Sequence, residues 1–339
     1  MGLTTSSRGP TFAAQMPTAR GPRLKIGVVN NMPDAAMATT ERQFSSLLQV
    51  ATEGTPVTLK LFALAGVARG EAAQNHMRGR YQAAETLADA GLDGLIVTGA
   101  EPREPDLEHE PYWPALTKVI DWSQQSGIPT IWSCLAAHAA VRHLNRIRRQ
   151  ALPAKLSGVF ETLPAREDPL LAGVTSPLLM PHSRQNGLVA EDLIEKGYRM
   201  LTHSSAVGVD AFVKRGVGLS LFFQGHPEYD ADTLMREYLR DVGRFLHGRR
   251  PHHPNIPVGY FSLEVEAALA ELSFHARRRP HPKFLPFYSA ILAKASPTRT
   301  WRGSAVKIYR NWLRHIADAS RPTPLSSAGL RGGFASPPA

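Results

Sequence analysis

Cysteine is all but missing from this chain. With one residue of that type, Cys134, in 339, an intramolecular disulfide is excluded, and a metal site would have to be built from histidines and carboxylates. Such a chain suits a reducing, cytoplasmic setting. Long apolar runs are missing too: no stretch approaches the roughly 18 uncharged apolar residues that a membrane helix needs. The first 23 residues hold arginines but no acid and no apolar segment, which excludes a secretory signal and predicts a disordered leader over 1–23. Acidic residues are absent again between Arg142 and Lys155 and from Leu272 to Ala317, two stretches rich in Lys and Arg within a net charge of +10. Such fields attract polyanions, or simply form a basic solvated surface.

What is present reads as alternating strands and helices. "LKIGVVN" (24–30), "TPVTLKLFAL", "GLDGLIVTGA" and "IPTIWS" are apolar runs bounded by turn residues, and each predicts a buried strand. Between them the spacing predicts a helix after an N-cap at Thr39 or Thr40, a second over 79–90, and a third through "YWPALTKVIDWSQQ". This alternation predicts an α/β fold with a mostly parallel, flavodoxin-like sheet covered by helices on both faces. Ligands bind such sheets beyond the carboxyl ends of the strands. Further on, "SPLLMPHS" and "GLSLFFQGH" are the clearest strands. A helix with Asp230 or Asp232 as cap then places Leu234, Tyr238, Val242 and Phe245 on one face and stops at Gly248. The main domain is expected over 24–248. A basic helical extension packed upon it is expected over 249–317, with helices at 262–272 and 304–317, and a disordered Pro/Gly/Ser-rich tail over 318–339.

Cys134 sits where the strand "IPTIWS" gives way to "LAAHAA". Two readings are open, a small core residue or a nucleophile at a strand-to-helix turn. In the second, the helix N-terminus favours thiolate. The Leu135 N–H and the turn at Gly99 and Ala100 would then supply an oxyanion hole. A second element is "QGHPEYD". His226 and Glu228 stand two apart with Pro227 between them, a spacing that turns both side chains the same way from an extended segment. A carboxylate that orients an imidazole serving a thiol follows the logic of a catalytic triad.

In order along the chain stand "NNMPDAAMATTERQF", "DGLIVTGAEP", "PYWPALTKVIDWS", the cysteine turn, "AKLSGVFE", "MPHSR", "QGHPEYDADTLMREYLRD" and "TWRGSAVKIYRNWL". This series, over about residues 24 to 316, resembles the homoserine O-acyltransferases (O-succinyl- or O-acetyltransferases) within the class I glutamine amidotransferase-like superfamily. The resemblance implies acyl transfer from acyl-CoA to the hydroxyl of homoserine in methionine synthesis. Cys134 would be the acyl carrier, His226 the general base and Glu228 its orienting partner. It further implies that Lys155, Ser183, Arg184 and Arg240 hold the amino-acid substrate, that no cofactor or metal is bound, that acyl-CoA is a co-substrate, and that the enzyme is a homodimer.

The sequence departs from the family pattern at Leu135, where Trp is usual, at His138, where Gln stands, and at Ala154, where Glu is usual. The last two leave serine open as an alternative acceptor. Counting three residues past "TGA" places Arg103 at the acyl-specificity position, where a guanidinium would pair with a succinyl carboxylate and so favours succinyl-CoA over acetyl-CoA. A glutamine amidotransferase is a rival reading, although such enzymes flank the cysteine with glycines and this chain has Ser133 and Leu135. A catalytically dead nucleic-acid-binding protein is a second rival, disfavoured because no recognisable nucleic-acid module accompanies the basic segment.

Overall fold

The computed structural model describes residues 23–52, 54 and 56–319. Apart from residues 23, 318 and 319, the leader and tail expected from the sequence lie outside them. The chain enters as β1 (Leu24–Val29) and continues through α1 (Asp34–Ala51), β2 (Val57–Ala63), α2 (Glu71–Met77) and β3 (Tyr81–Ala83). Next come β4 (Gly94–Val97), α3 (Trp113–Ser126), β5 (Thr130–Ser133) and α4 (Leu135–Asn145). The middle of the chain holds β6 (Gln150–Pro164), β7 (Leu178–Gly187), α5 (Ala190–Glu195), β8 (Arg199–Ser204), β9 (Gly208–Arg215) and β10 (Leu219–Phe223). It ends with α6 (Thr233–Leu246), α7 (Leu263–Arg278), α8 (Leu285–Leu292) and α9 (Arg302–Ala319).

The strands form one sheet in the order β3-β2-β1-β4-β5-β10-β9-β8-β6-β7. From β3 to β10 every neighbour is parallel. From β10 to β7 every neighbour is antiparallel. The division follows the connections: helical crossovers can join parallel neighbours, whereas the short links joining β8, β9 and β10 permit only antiparallel ones. Strands β4, β5 and β10 are buried at every position, as two helical layers demand. One layer is α3 and α4, packed through Leu116, Ile120, Ala137 and Ala140. The other pairs α1 with α9, through Phe44, Leu47, Tyr309 and Trp312. That second layer lies so close to the sheet that a Cβ on Gly94 would stand 2.6 Å from Ile316 and 3.0 Å from Trp312.

Helices α7 and α8 pack on α6 around Tyr238, Val242, Leu269 and Tyr288. Part of the basic charge of the C-terminal segment is spent on docking. Arg299 reaches Asp230 at 3.1 Å, and Arg302 donates to the Ser46 carbonyl at 2.9 Å.

Two expectations are corrected. Helix α1 starts at Asp34, not after Thr39 or Thr40, with Pro33 extended at its N-cap and Thr40 buried within it. Pro33 cannot donate from its own nitrogen, and Asp34 suits the positive end of the dipole, so the start lies in "MPDAA". The helix expected over 79–90 is instead edge strand β3 followed by a 3-10 turn over Ala84–Ala90. Tyr81 pairs with Leu61 of β2, and its hydroxyl accepts from Asn30 Nδ2 at 2.9 Å. These long-range partners outweigh local propensity.

Candidate active site

The carboxyl ends of β4, β5 and β10 lie side by side, and three turns leave them together. Cys134 follows β5 directly and caps α4 in a left-handed conformation, φ 50° and ψ −109°. A non-glycine residue held there carries strain of order 1–3 kcal/mol, which the surrounding structure must sustain. Its N–H donates to the Phe223 carbonyl of β10 at 2.7 Å, and its carbonyl accepts from Ala137 at 3.0 Å and His138 at 3.3 Å. The alanines of "LAAHAA" let α4 lie close on the sheet, so the turn cannot relax inward. The thiol itself is only partly buried.

At the end of β10, Gly225 threads a gap that no side chain could share. A Cβ there would stand 2.4 Å from Met180 and 2.9 Å from Asp210 Oδ1. The next residue, His226, donates its N–H to the Pro181 carbonyl at 2.8 Å. Its Nδ1 lies 2.9 Å from Glu228 Oε1, and its ring stacks on Tyr229 with centroids 4.2 Å apart. Cys134 is near enough to the same ring to act on it through its charge and its side chain. Burial would lower the imidazole pKa, but the charges and hydrogen bonds of Cys134 and Glu228 outweigh it and hold the pKa well above its usual value. The sulfur, imidazole and carboxylate therefore form one connected line.

The third turn follows β4. A Cβ on Gly99 would stand 3.2 Å from the Leu135 nitrogen, so the two turns nearly touch. The N–H groups of Leu135, Gly99 and Ala100 have no hydrogen-bond acceptor among the described residues.

Beside this line lies a polar cluster between the β6–β7 pair and α6. Lys155 Nζ reaches Asp241 Oδ2 at 2.9 Å and Glu237 Oε2 at 3.7 Å. The Ser183 hydroxyl donates to Glu237 Oε2, and the Tyr229 hydroxyl to Glu237 Oε1 at 2.8 Å. Burial would raise the Glu237 pKa, yet Lys155, Ser183, Arg240 and His226 together bring it below the usual value. Arg240 turns Nε and Nη2 to Asp241 Oδ1 at 3.0 and 2.9 Å, with 43% of its side chain exposed. Sequence reasoning missed Glu237, Asp241 and Tyr229. The signal was available: positions 237, 240 and 241 recur at i, i+3 and i+4 and so share one side of α6.

Other expected residues are placed elsewhere. Arg184 is 5% exposed and gives its donors to the carbonyls of Asn186 at 2.7 Å and Val207 at 2.5 Å, while its charge interacts with Cys134. Arg103 is exposed, and only its main-chain N–H is fixed, by Glu110. The position taken for acyl recognition is therefore held by its backbone. Buried His138 bonds Gln224 Oε1 at 2.9 Å behind the nucleophile, where burial drives its pKa down to about 3. Below the cluster, His182 lies 3.2 Å from Asp210 but poorly aligned for a hydrogen bond. No cluster of metal-ligating side chains occurs among the described residues.

A sequence model of the homoserine O-succinyltransferase family matches residues 13–323. Curated relatives with that name include one from Bradyrhizobium japonicum, 45% identical over 88% of this chain and 92% of its own length. Another, from Methylorubrum extorquens, is 44% identical over 87% and 88%. Among solved structures, a glutamine amido transferase from Methylobacillus flagellatus aligns over 87% of this chain and 95% of its own, with 16% identity and a TM-score of 0.49.

Proposed function

The chain belongs to the homoserine O-succinyltransferase family and is an acyltransferase, and we propose that it carries the acyl group on Cys134 between succinyl-CoA and homoserine. The observation that supports this most directly is the line Cys134–His226–Glu228, with the turn at Gly99 close to the Leu135 nitrogen beside it. In the first half-reaction His226 takes the thiol proton and the sulfur attacks the thioester carbonyl. The oxyanion rests on the Leu135 and Gly99/Ala100 amides, a contribution of about 10²–10³-fold for each such donor. The carbon–sulfur bond to coenzyme A then breaks, and His226 returns its proton to the departing thiolate.

Acylation also resets the base. The charge on Cys134 is one of two that raise the His226 pKa, and a thioester carries none. The imidazole of the acyl-enzyme therefore gives up its proton more readily and is ready to take one from the homoserine hydroxyl. General-base help of this kind is worth about 10²–10⁴-fold. As the hydroxyl oxygen bonds to the acyl carbon, the Cys134–acyl bond breaks and the proton passes back to sulfur.

The acceptor needs one anion-binding and one cation-binding group. Arg240 keeps an edge of its guanidinium free of Asp241 and suits the homoserine carboxylate. Glu237, anionic and anchored by Tyr229 and Ser183, suits the ammonium. The product is an O-acylated homoserine whose side-chain oxygen has become a leaving group, which fits a place in methionine synthesis. No helix among the described residues is long and apolar enough to cross a membrane, in keeping with a cytoplasmic enzyme. The test is intact-protein mass spectrometry with succinyl-CoA alone. One succinyl group should add to the wild type, vanish on addition of homoserine, and fail to appear in Cys134→Ala. Product formation with no adduct on any residue would overturn the reading.

A further inference from the structure

The loop that leaves the oxyanion turn at Gly99 and Ala100 at once presents Glu101. Arg244 of α6 grips this carboxylate at two points, Nη1–Oε1 at 2.5 Å and Nη2–Oε2 at 3.3 Å. The pair joins the loop that follows the Gly99–Ala100 turn to the helix that carries Glu237, Arg240 and Asp241. Both side chains remain open to solvent, 39% for Arg244 and 44% for Glu101. Exposed ion pairs contribute little stability and open readily.

We propose that the guanidinium fork of Arg244 is the seat for the distal carboxylate of the succinyl group, and that Glu101 is the resting carboxylate it displaces. The inference rests on the reading of succinyl-CoA as donor. With the thioester oxygen on the Leu135 amide, a succinyl chain extends only two methylenes further before its own carboxylate needs a partner. Glu101 starts two residues from Gly99, whose Cβ would stand 3.2 Å from the Leu135 nitrogen, and Arg244 is the cation that grips it. Of the other cations on this side, Lys155 and Arg250 lie within 3.1 Å of buried Asp241, Arg240 is assigned above to the homoserine carboxylate, and Arg149 gives its donors to the Glu104 and Pro105 carbonyls. Arg244 stands 3.8 Å from Asp241, and its close partner is a carboxylate that can swing into water. Exchanging one carboxylate for another leaves the local charge unchanged, and the planar fork recovers both hydrogen bonds. An acetyl group offers nothing to exchange.

The test compares kcat/KM for succinyl-CoA and acetyl-CoA, with homoserine as acceptor, in the wild type, Arg244→Ala and Glu101→Gln. In Arg244→Ala the succinyl-to-acetyl ratio should fall by about ten- to a hundredfold, the effect of losing one charge-assisted partner. In Glu101→Gln, with the competing charge gone, the KM for succinyl-CoA should fall. Acetyl-CoA turnover in each variant reports that the fold and the cysteine chemistry survive. A ratio unmoved by Arg244→Ala, or both donors falling together, would leave Arg244 a mere strap and overturn the inference while succinyl transfer stands. A ratio that collapses in Arg103→Ala instead would overturn it too. A wild type that is acylated by acetyl-CoA and not by succinyl-CoA would overturn the donor reading with it, and acylation by neither would overturn the function itself.

Discussion

His226 Nδ1 lies 2.9 Å from Glu228 Oε1, with Pro227 between them in a segment that belongs to no strand or helix. The carboxylate both orients the ring and stabilises its protonated form. Replacing Glu228 by Gln removes one of the charges that raise the His226 pKa. The acid limb of the pH profile of kcat/KM for homoserine should therefore move to lower pH. The rate on the plateau should fall by about 10²-fold, because the neutral amide orients the imidazole less firmly. A limb that stays in place would separate Glu228 from the base.

Gly225→Ala places a methyl group 2.4 Å from Met180 and 2.9 Å from Asp210. The backbone must move, and His226 is the next residue. We expect a loss of about 1–3 kcal/mol from overpacking, read as a lower Tm. The fall in kcat should be larger than that stability loss explains, since catalytic geometry tolerates little displacement.

Glu237→Gln keeps the side-chain shape and can still accept from one of Tyr229 and Ser183, but it removes the charge that faces the homoserine ammonium. The KM for homoserine should rise by about tenfold or more. The succinyl adduct should still form when the enzyme meets succinyl-CoA alone. Loss of the adduct would place Glu237 in the first half-reaction rather than the second.

His138 should stay neutral throughout the working range, because burial depresses its pKa to about 3. Its ring resonances should not titrate between ~pH 5 and ~pH 8. The unfolded chain binds that proton near pH 6.5 and the folded one does not, so stability attributable to this group is present above 6.5 and is lost as pH falls towards 3. Denaturant midpoints of wild type and His138→Gln across that interval measure it: the two should converge at high pH and diverge as acid is added.

Much of this could be read along the chain. The buried runs of β1, β4 and β5 are apolar and β-branched, and local composition suffices to place them. The cysteine turn and "GHPE" each close such a run, so their position at the strand ends followed from the strands. What could not be read was decided by partners distant in sequence. Strand β3 forms because Tyr81 finds Leu61 and Asn30. Helix α9, its basic surface notwithstanding, belongs to a core layer because Trp312 meets the gap that Gly94 leaves.

The arginines divide in the same way. Composition established that this protein is rich in guanidinium groups, and the family resemblance marked Arg184 and Arg240 among them as substrate-holding. What each of the others is paired with is a matter of neighbours: Arg184 is buried and held by two carbonyls, and Arg244 is held by the half-exposed carboxylate of Glu101. Spacing along a chain encodes the side of an element on which a charge lies. The depth at which it is buried, and the group that neutralises it, depend on where the rest of the chain packs, because desolvation and pairing are set by contacts made only on folding.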